Sequence, residues 1–292
     1  MLTRGRGFVL VGVLLSQVVW TVAQTPVFRD EVRVVPVYAT VTARDGRLLT
    51  NLNQDDFSVL DNGKLAKIVS FSHDPVRAIT IAAAWDVSES MKKVEVRERL
   101  AARALVDALT TGDRLRFGTF GDAVVFSPLL TSDKATLHRI ITEEMWFGGN
   151  TPLWTTIDRG LRQLAGETGR RALLVLSDGS ARNDATSKGD ILRLMQRLDC
   201  LVYAIGLEGP GLSPALKDVA EESGGGHVEL PNRVDLDREF DEILFEIHDQ
   251  YVIGIHPDVL DDTMHSLVVR TTAAGATVRA RKAYLASKEP PK

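Results

Sequence analysis

One thiol cannot close an internal disulfide, and this 292-residue sequence has a single cysteine, Cys200. It sits in the apolar run Cys200-Leu201-Val202-Tyr203-Ala204-Ile205, where a buried structural thiol is expected rather than a reactive one. Basic blocks are missing too: 35 Lys and Arg stand against 39 Asp and Glu, for a net charge of −4. Without a cationic stripe, nucleic acid is not expected as a partner. The histidines (His73, His138, His227, His248, His256 and His265) include no His-Glu-x-x-His or other zinc spacing, so surface or structural roles are expected. Gly-x-Ser-x-Gly and Gly-x-x-x-x-Gly-Lys are also absent, removing the nucleophile-elbow and phosphate-loop readings. What remains is ordinary globular composition, 44% hydrophobic and 25% charged.

Residues 1–23 read as a signal peptide. Arg4 and Arg6 precede an apolar stretch over 8–22, and Thr21-Val22-Ala23 offers small residues at a cleavage site. The stretch, interrupted by Ser16 and Gln17, is short for a membrane span; an uncleaved anchor is the alternative. No cysteine sits near the cut, which excludes a lipoprotein signal, and no further membrane span is expected. Export without disulfides points to a bacterial envelope, either periplasmic or extracellular.

Residues 32–72 have β character. Val32, Val34, Val37, Ala39 and Val41 alternate imperfectly, and segments 57–60 and 68–71 flank Asn62-Gly63, a hairpin signal. From Ile79 the pattern changes. Segments 79–85, 115–120, 172–176, 201–207 and 227–230 are strands, several of them apolar throughout. They alternate with helices expected over 94–109, 134–144, 153–164, 189–198, 214–223 and 236–248, the first carrying Val94, Leu100, Ala101, Ala104, Leu105, Ala108 and Leu109 at helical spacing. Such alternation implies an α/β fold with a doubly wound, mostly parallel sheet. Strands are expected again over 251–256, 267–271 and 277–284, pairing with the N-terminal unit to make a small β-domain from both ends of the chain. The expected boundaries are 24–76 and 250–287 for the β-domain, 77–249 for the parallel domain and 288–292 for a tail.

Open parallel sheets bind ligands at the carboxyl ends of their strands, and three loops leaving such ends carry oxygen ligands. They hold Asp86-x-Ser88-x-Ser90, Thr151 and Asp178. Two carboxylates and three hydroxyls, with no soft donor, suit Mg²⁺, Mn²⁺ or Ca²⁺ and leave a coordination position open for an outside carboxylate. Asp-x-Ser-x-Ser alone arises by chance in roughly one chain in ten of this length, and its plain alternative is a helix cap, with Ser90 at the N-cap. The order of all three loops after successive strands makes the signal specific. Elsewhere, Gly224-Gly225-Gly226 is expected to end a helix, Glu143 and Glu144 to face solvent, and Trp146 and Trp154 to be packing residues, though one of them could line a ligand groove.

The constellation resembles the metal-ion-dependent adhesion site of the von Willebrand factor A family, whose pattern Asp86, Ser88, Ser90, Thr151 and Asp178 match without substitution. Gly149-Asn150-Thr151-Pro152-Leu153 and Leu174-Val175-Leu176-Ser177-Asp178-Gly179 resemble the family's flanking text. Asp56-Phe57-Ser58-Val59 with Asn62-Gly63, Tyr251-Val252-Ile253-Gly254 and Arg281-Lys282-Ala283-Tyr284 resemble a related family catalogued from Acidobacteria. The resemblance spans about residues 32–284. It implies a Rossmann-like von Willebrand factor A fold in which the serines and the threonine bind metal directly and the aspartates act through water. It also implies a non-enzymatic module whose cation grips an Asp or Glu of a protein partner. The alternatives are a structural part of an envelope assembly and a metal-dependent hydrolase. The hydrolase is disfavoured because no histidine, lysine or further carboxylate stands beside the ligands as a general base.

Overall fold

The computed structural model describes residues 33–74, 76–177, 184–207, 211–230 and 234–288. The expected signal peptide, Asp178 and the last residues of the tail lie outside these. The chain opens with β1 (Val35–Thr42), β2 (Phe57–Asp61), β3 (Lys64–Leu65) and β4 (Lys67–His73). There follow β5 (Ile79–Asp86), α1 (Glu95–Ala108), β6 (Arg114–Phe120), β7 (Val124–Phe126), α2 (Lys134–Glu144) and α3 (Leu153–Leu164). Next come β8 (Arg170–Leu176), α4 (Lys188–Arg197), β9 (Leu201–Leu207), α5 (Pro214–Ser223), β10 (His227–Leu230) and α6 (Leu236–His248). It closes with β11 (Tyr251–His256), β12 (Met264–Thr271), β13 (Thr277–Ala280) and β14 (Ala283–Leu285).

The runs without polar alternation form one six-stranded sheet in the order β10-β9-β8-β5-β6-β7, parallel throughout except for the β6–β7 pair. β5 is buried along its whole length. One core lies on the α1, α2 and α6 face and a second on the α3, α4 and α5 face, so the fold is a doubly wound α/β sheet. Small residues bring α3 close: Ala82 and Ala84 face it, and a Cβ on Gly160 would lie 2.6 Å from Leu173 Cδ1. The edge strand β7 escapes sequence reading because its three residues are too few to show a period. Leu100, expected on the core face of α1, is exposed, while Ala101, Ala102, Leu105 and Val106 pack inside. A 3₁₀ turn, Glu89–Val94, precedes α1.

Two four-stranded antiparallel sheets, β13-β1-β11-β4 and β14-β12-β2-β3, use strands from both sides of the parallel domain and share one core. Here two expectations change. Asn62 and Gly63, both at positive φ, turn β2 into β3, while β4 crosses over to pair with β11. The single strand expected over 277–284 is two: β13 pairs with β1, and β14 with β12. The break falls where Lys282 N donates to Glu222 O of α5. At that break the α5 C-cap, Gly224 (φ +82°), meets the connection so closely that a Cβ would stand 2.4 Å from Arg281 N.

The sandwich docks at the amino ends of the parallel strands. Arg170, at the start of β8 and buried, donates to His248 O (2.6 Å) and Gln250 O (3.1 Å) and lies over the Tyr38 ring of β1. Gln250 Nε2 donates to Thr40 Oγ1 at 3.1 Å. Arg279 of β13 pairs with Glu246 of α6, which also accepts from Tyr203 OH at 2.8 Å.

Candidate metal centre

The sheet order reverses between β5 and β8: the chain winds outward through β6 and β7 on one side and through β9 and β10 on the other. Such a switch point opens a crevice at the carboxyl ends of the strands. The loops leaving β5 and β8 carry Asp86, Ser88, Ser90 and Ser177 into it. Asp86 is 0% exposed and Ser88 1%. Asp86 Oδ1 accepts from Ser88 N at 2.9 Å, and Oδ2 accepts from Ser177 Oγ at 2.6 Å. Ser88 Oγ and Ser90 Oγ lie 3.1 Å apart.

The second loop is fastened to the first. Gly148 N donates to Val87 O (2.7 Å), and Glu89 N donates to Gly149 O (3.1 Å). The approach leaves no room for side chains: a Cβ on Gly121, at the end of β6, would stand 2.5 Å from Gly148 O, and one on Gly149 (φ +87°) would stand 2.1 Å from Asp122 Oδ1. Thr151, 4% exposed, follows on this loop just before α3. The structure therefore brings the Asp86, Ser88 and Ser90 loop and the Thr151 loop together; Asp178 falls outside the described residues, directly after Ser177.

Ser90 is not the helix cap that its spacing also allowed. The 3₁₀ turn starts after Ser88, whose side chain makes no capping bond, and α1 is capped only at Val94. The Ser88 and Ser90 hydroxyls face each other.

Two supporting residues carried no signal of their own in the sequence. Ser177 reads as part of a common Ser-Asp-Gly turn, yet it orients Asp86. Asp184, beyond β8, accepts from Trp154 N, Thr155 N (3.0 Å) and Thr155 Oγ1 (2.6 Å). It places a carboxylate on the N-terminus of α3, where free N–H groups and the helix dipole favour an anion. Its distance of some thirty residues from α3 hides it from local capping patterns.

The donor set fits a small hard cation. Oxygen donors alone suit Mg²⁺, Mn²⁺ or Ca²⁺, and the Ser88 and Ser90 hydroxyls lie at hydrogen-bonding distance from each other. Among the described residues no cluster of three or more His, Cys, Asp or Glu could hold a metal, so the hydroxyls carry this candidate.

Trp154 is partly buried against the α3 face, but Trp146 is 80% exposed and is not a packing residue. His73, His138, His248 and His265 each meet a carboxylate, on Asp249, Asp107, Asp113 and Asp61. None of these pairs belongs to the loops just described. Cys200 is buried, and burial pushes its thiol up to about 12.

No protein-family model matches the sequence, and no curated protein does. Solved structures do. A von Willebrand factor type A protein from Catenulispora acidiphila aligns over 90% of this chain and 78% of its own, at 12% identity and a TM-score of 0.51. The fold is that of a von Willebrand factor A domain. The ArnB paralog VWA2 from Sulfolobus acidocaldarius aligns over 87% of this chain and 76% of its own, at 15% identity and a TM-score of 0.48. Manganese-loaded TRAP protein from Plasmodium vivax aligns over 80% of this chain and all of its own, at 13% identity and a TM-score of 0.46. At these identities the likeness speaks for the fold alone, and no helix among the described residues is long and apolar enough to cross a membrane.

Proposed function

We propose that the chain is an exported binding module that holds one divalent cation and uses it to grip an Asp or Glu side chain of a protein partner. Ser88, Ser90 and Thr151 hold the ion through their hydroxyls, while Asp86 and Asp178 act through water. The observation that carries the reading is the buried Asp86 carboxylate beside two converging hydroxyls, Ser88 and Ser90, at the switch point of the sheet. Since both Asp86 oxygens already accept protein hydrogen bonds, an outer-sphere role suits it. A buried carboxylate is costly unless it is bonded or faces a cation. When bound, the cation supplies a coordination position for an incoming carboxylate, and neutral hydroxyls as inner ligands leave it strongly electropositive. Mg²⁺, Mn²⁺ and Ca²⁺ all suit such oxygen ligands. Catalysis is not part of the reading, because none of these histidine–carboxylate pairs belongs to the loops of the candidate site.

Calorimetric titration with Mg²⁺ and Mn²⁺ tests the proposal. The wild type is expected to take up one ion, and Asp86→Ala and Asp86→Ala/Asp178→Ala to take up none while keeping their far-UV circular dichroism. A well-folded wild type that takes up neither ion would sink it. Capture of a partner from envelope extract that persists in chelator would remove the metal from recognition.

A further inference from the structure

Trp146 stands out on the loop between α2 and α3, the loop that also carries Thr151. A tryptophan is normally drawn inward, yet this one is 80% exposed between Met145, which is buried, and Phe147, which is partly buried. It is also held still. Trp146 Nε1 donates to Glu143 O at 2.8 Å. Arg99 donates to Met145 O and to Ile141 O (3.2 Å) and lies 5.6 Å from the Phe147 ring centroid. Two residues on, Gly148 N is bonded to Val87 O, between Asp86 and Ser88. Chain geometry therefore keeps the Trp146 Cα within about 7 Å of the Cα of Gly148. A large aromatic side chain, exposed and fixed in advance, is what interface anchors offer, since no ordering cost remains to be met on binding.

The surroundings select the chemistry of what it meets. Glu143 and Glu144 are exposed on the last turn of α2, which carries no basic residue. Acidic groups at a helix C-terminus oppose the dipole and weaken the helix, a local cost that points to use elsewhere. The indole face and the exposed Glu144 carboxylate favour a cation, beside Glu143, whose carboxylate lies 3.9 Å from Arg139.

Resting on the metal-site reading, we propose that Trp146 determines specificity by receiving a Lys or Arg side chain that the partner carries beside the carboxylate given to the cation. The partner segment is thus a pair of opposite charges, its acid on the metal and its base on Trp146.

The test uses the full mature chain in Mg²⁺, labelled with 5-fluorotryptophan. It is titrated with the acetylated, amidated peptides Asp-Gly-Lys, Asp-Gly-Leu and Asp-Gly-Gly and followed by fluorine NMR. Asp-Gly-Lys is expected to bind about fivefold tighter than Asp-Gly-Gly and to move the Trp146 resonance. In Trp146→Ala that advantage disappears while Asp-Gly-Gly binding is unchanged; Trp146→Phe retains part of it, and Glu143→Gln/Glu144→Gln reduces it. Magnesium-dependent binding that ignores the lysine, prefers the leucine, or keeps the lysine advantage in Trp146→Ala overturns this inference alone. Binding of all three peptides that is indifferent to chelator overturns the metal-site reading and this inference with it.

Discussion

The parallel sheet and the two-ended sandwich bury polar groups in opposite ways. In the parallel domain β5, β8 and β9 are apolar along almost their whole length, and the polar groups gather where the strands stop. Asp86, Ser88, Thr151 and Ser177 are all buried at that edge. In the sandwich the polar groups lie within the strands. His265 Nδ1 meets Asp61 Oδ1 at 2.7 Å, and Tyr284 OH donates to Asp61 Oδ2 at 2.8 Å, tying β12, β2 and β14 together. The sandwich cluster lies among paired strands; the sheet-edge cluster lies at the carboxyl ends of parallel strands. Burial of a polar residue is therefore a weak sign of function, and its place in the fold is the stronger one.

The joint between the two regions sets the largest expected effect. Arg170→Ala removes a buried guanidinium and the hydrogen bonds it donates to His248 O and Gln250 O, a loss of about 2–5 kcal/mol in urea unfolding. If the two regions unfold together, the single transition shifts as a whole; if a second transition separates, the sandwich is an independent unit.

Asp113 sharpens the comparison by pH. Burial alone would raise its carboxyl, but hydrogen bonds from His248, Ile79 N and Thr110 outweigh it and hold the group below the usual carboxylate range. Its stabilisation is therefore present above the ordinary carboxylate pKa and is lost as pH falls through the depressed value. Asp113→Asn is expected to cost about 1–3 kcal/mol at neutral pH and to flatten the acid limb of a stability–pH curve. An unchanged acid limb would show that other carboxylates control it.

Tyr284→Phe should cost about 1 kcal/mol and leave cation affinity unaltered, which calorimetry reads directly. A change in affinity would mean that the sandwich reaches the site. The smallest effect concerns Cys200: with its thiol pushed up to about 12 by burial, the native protein should resist a thiol reagent that labels it promptly in denaturant.

Much of this was legible in the residues. Strands without alternation and helices at their own period gave the doubly wound sheet, because burial on both faces leaves no polar position to misread. The loops of the candidate site were legible from their order after those strands. The sandwich was harder. Asn62-Gly63 marked its turn correctly, but which strand returns to pair with β2 depends on Lys67–His73 crossing to β11, a long-range choice that no local pattern encodes. The site's supports, Ser177 and Asp184, were hidden for the same reason, since each acts on a residue far away in sequence. Trp146 was misjudged because its type suggests a core, while its place on a loop beside Gly148-Gly149 decides otherwise.

One pairing in the sandwich bears on how the molecule folds. His73, ending β4, lies opposite Tyr251, opening β11, with their rings 4.6 Å apart. The whole parallel domain is thus the connection of a single antiparallel pair. In an unfolded chain, bringing the ends of so long a loop together costs on the order of 4–5 kcal/mol in entropy. A folded parallel domain delivers them already adjacent. The sandwich should therefore assemble last, on ends held in place for it, and a double-jump refolding experiment should find its signals lagging those of Trp85 in the central core.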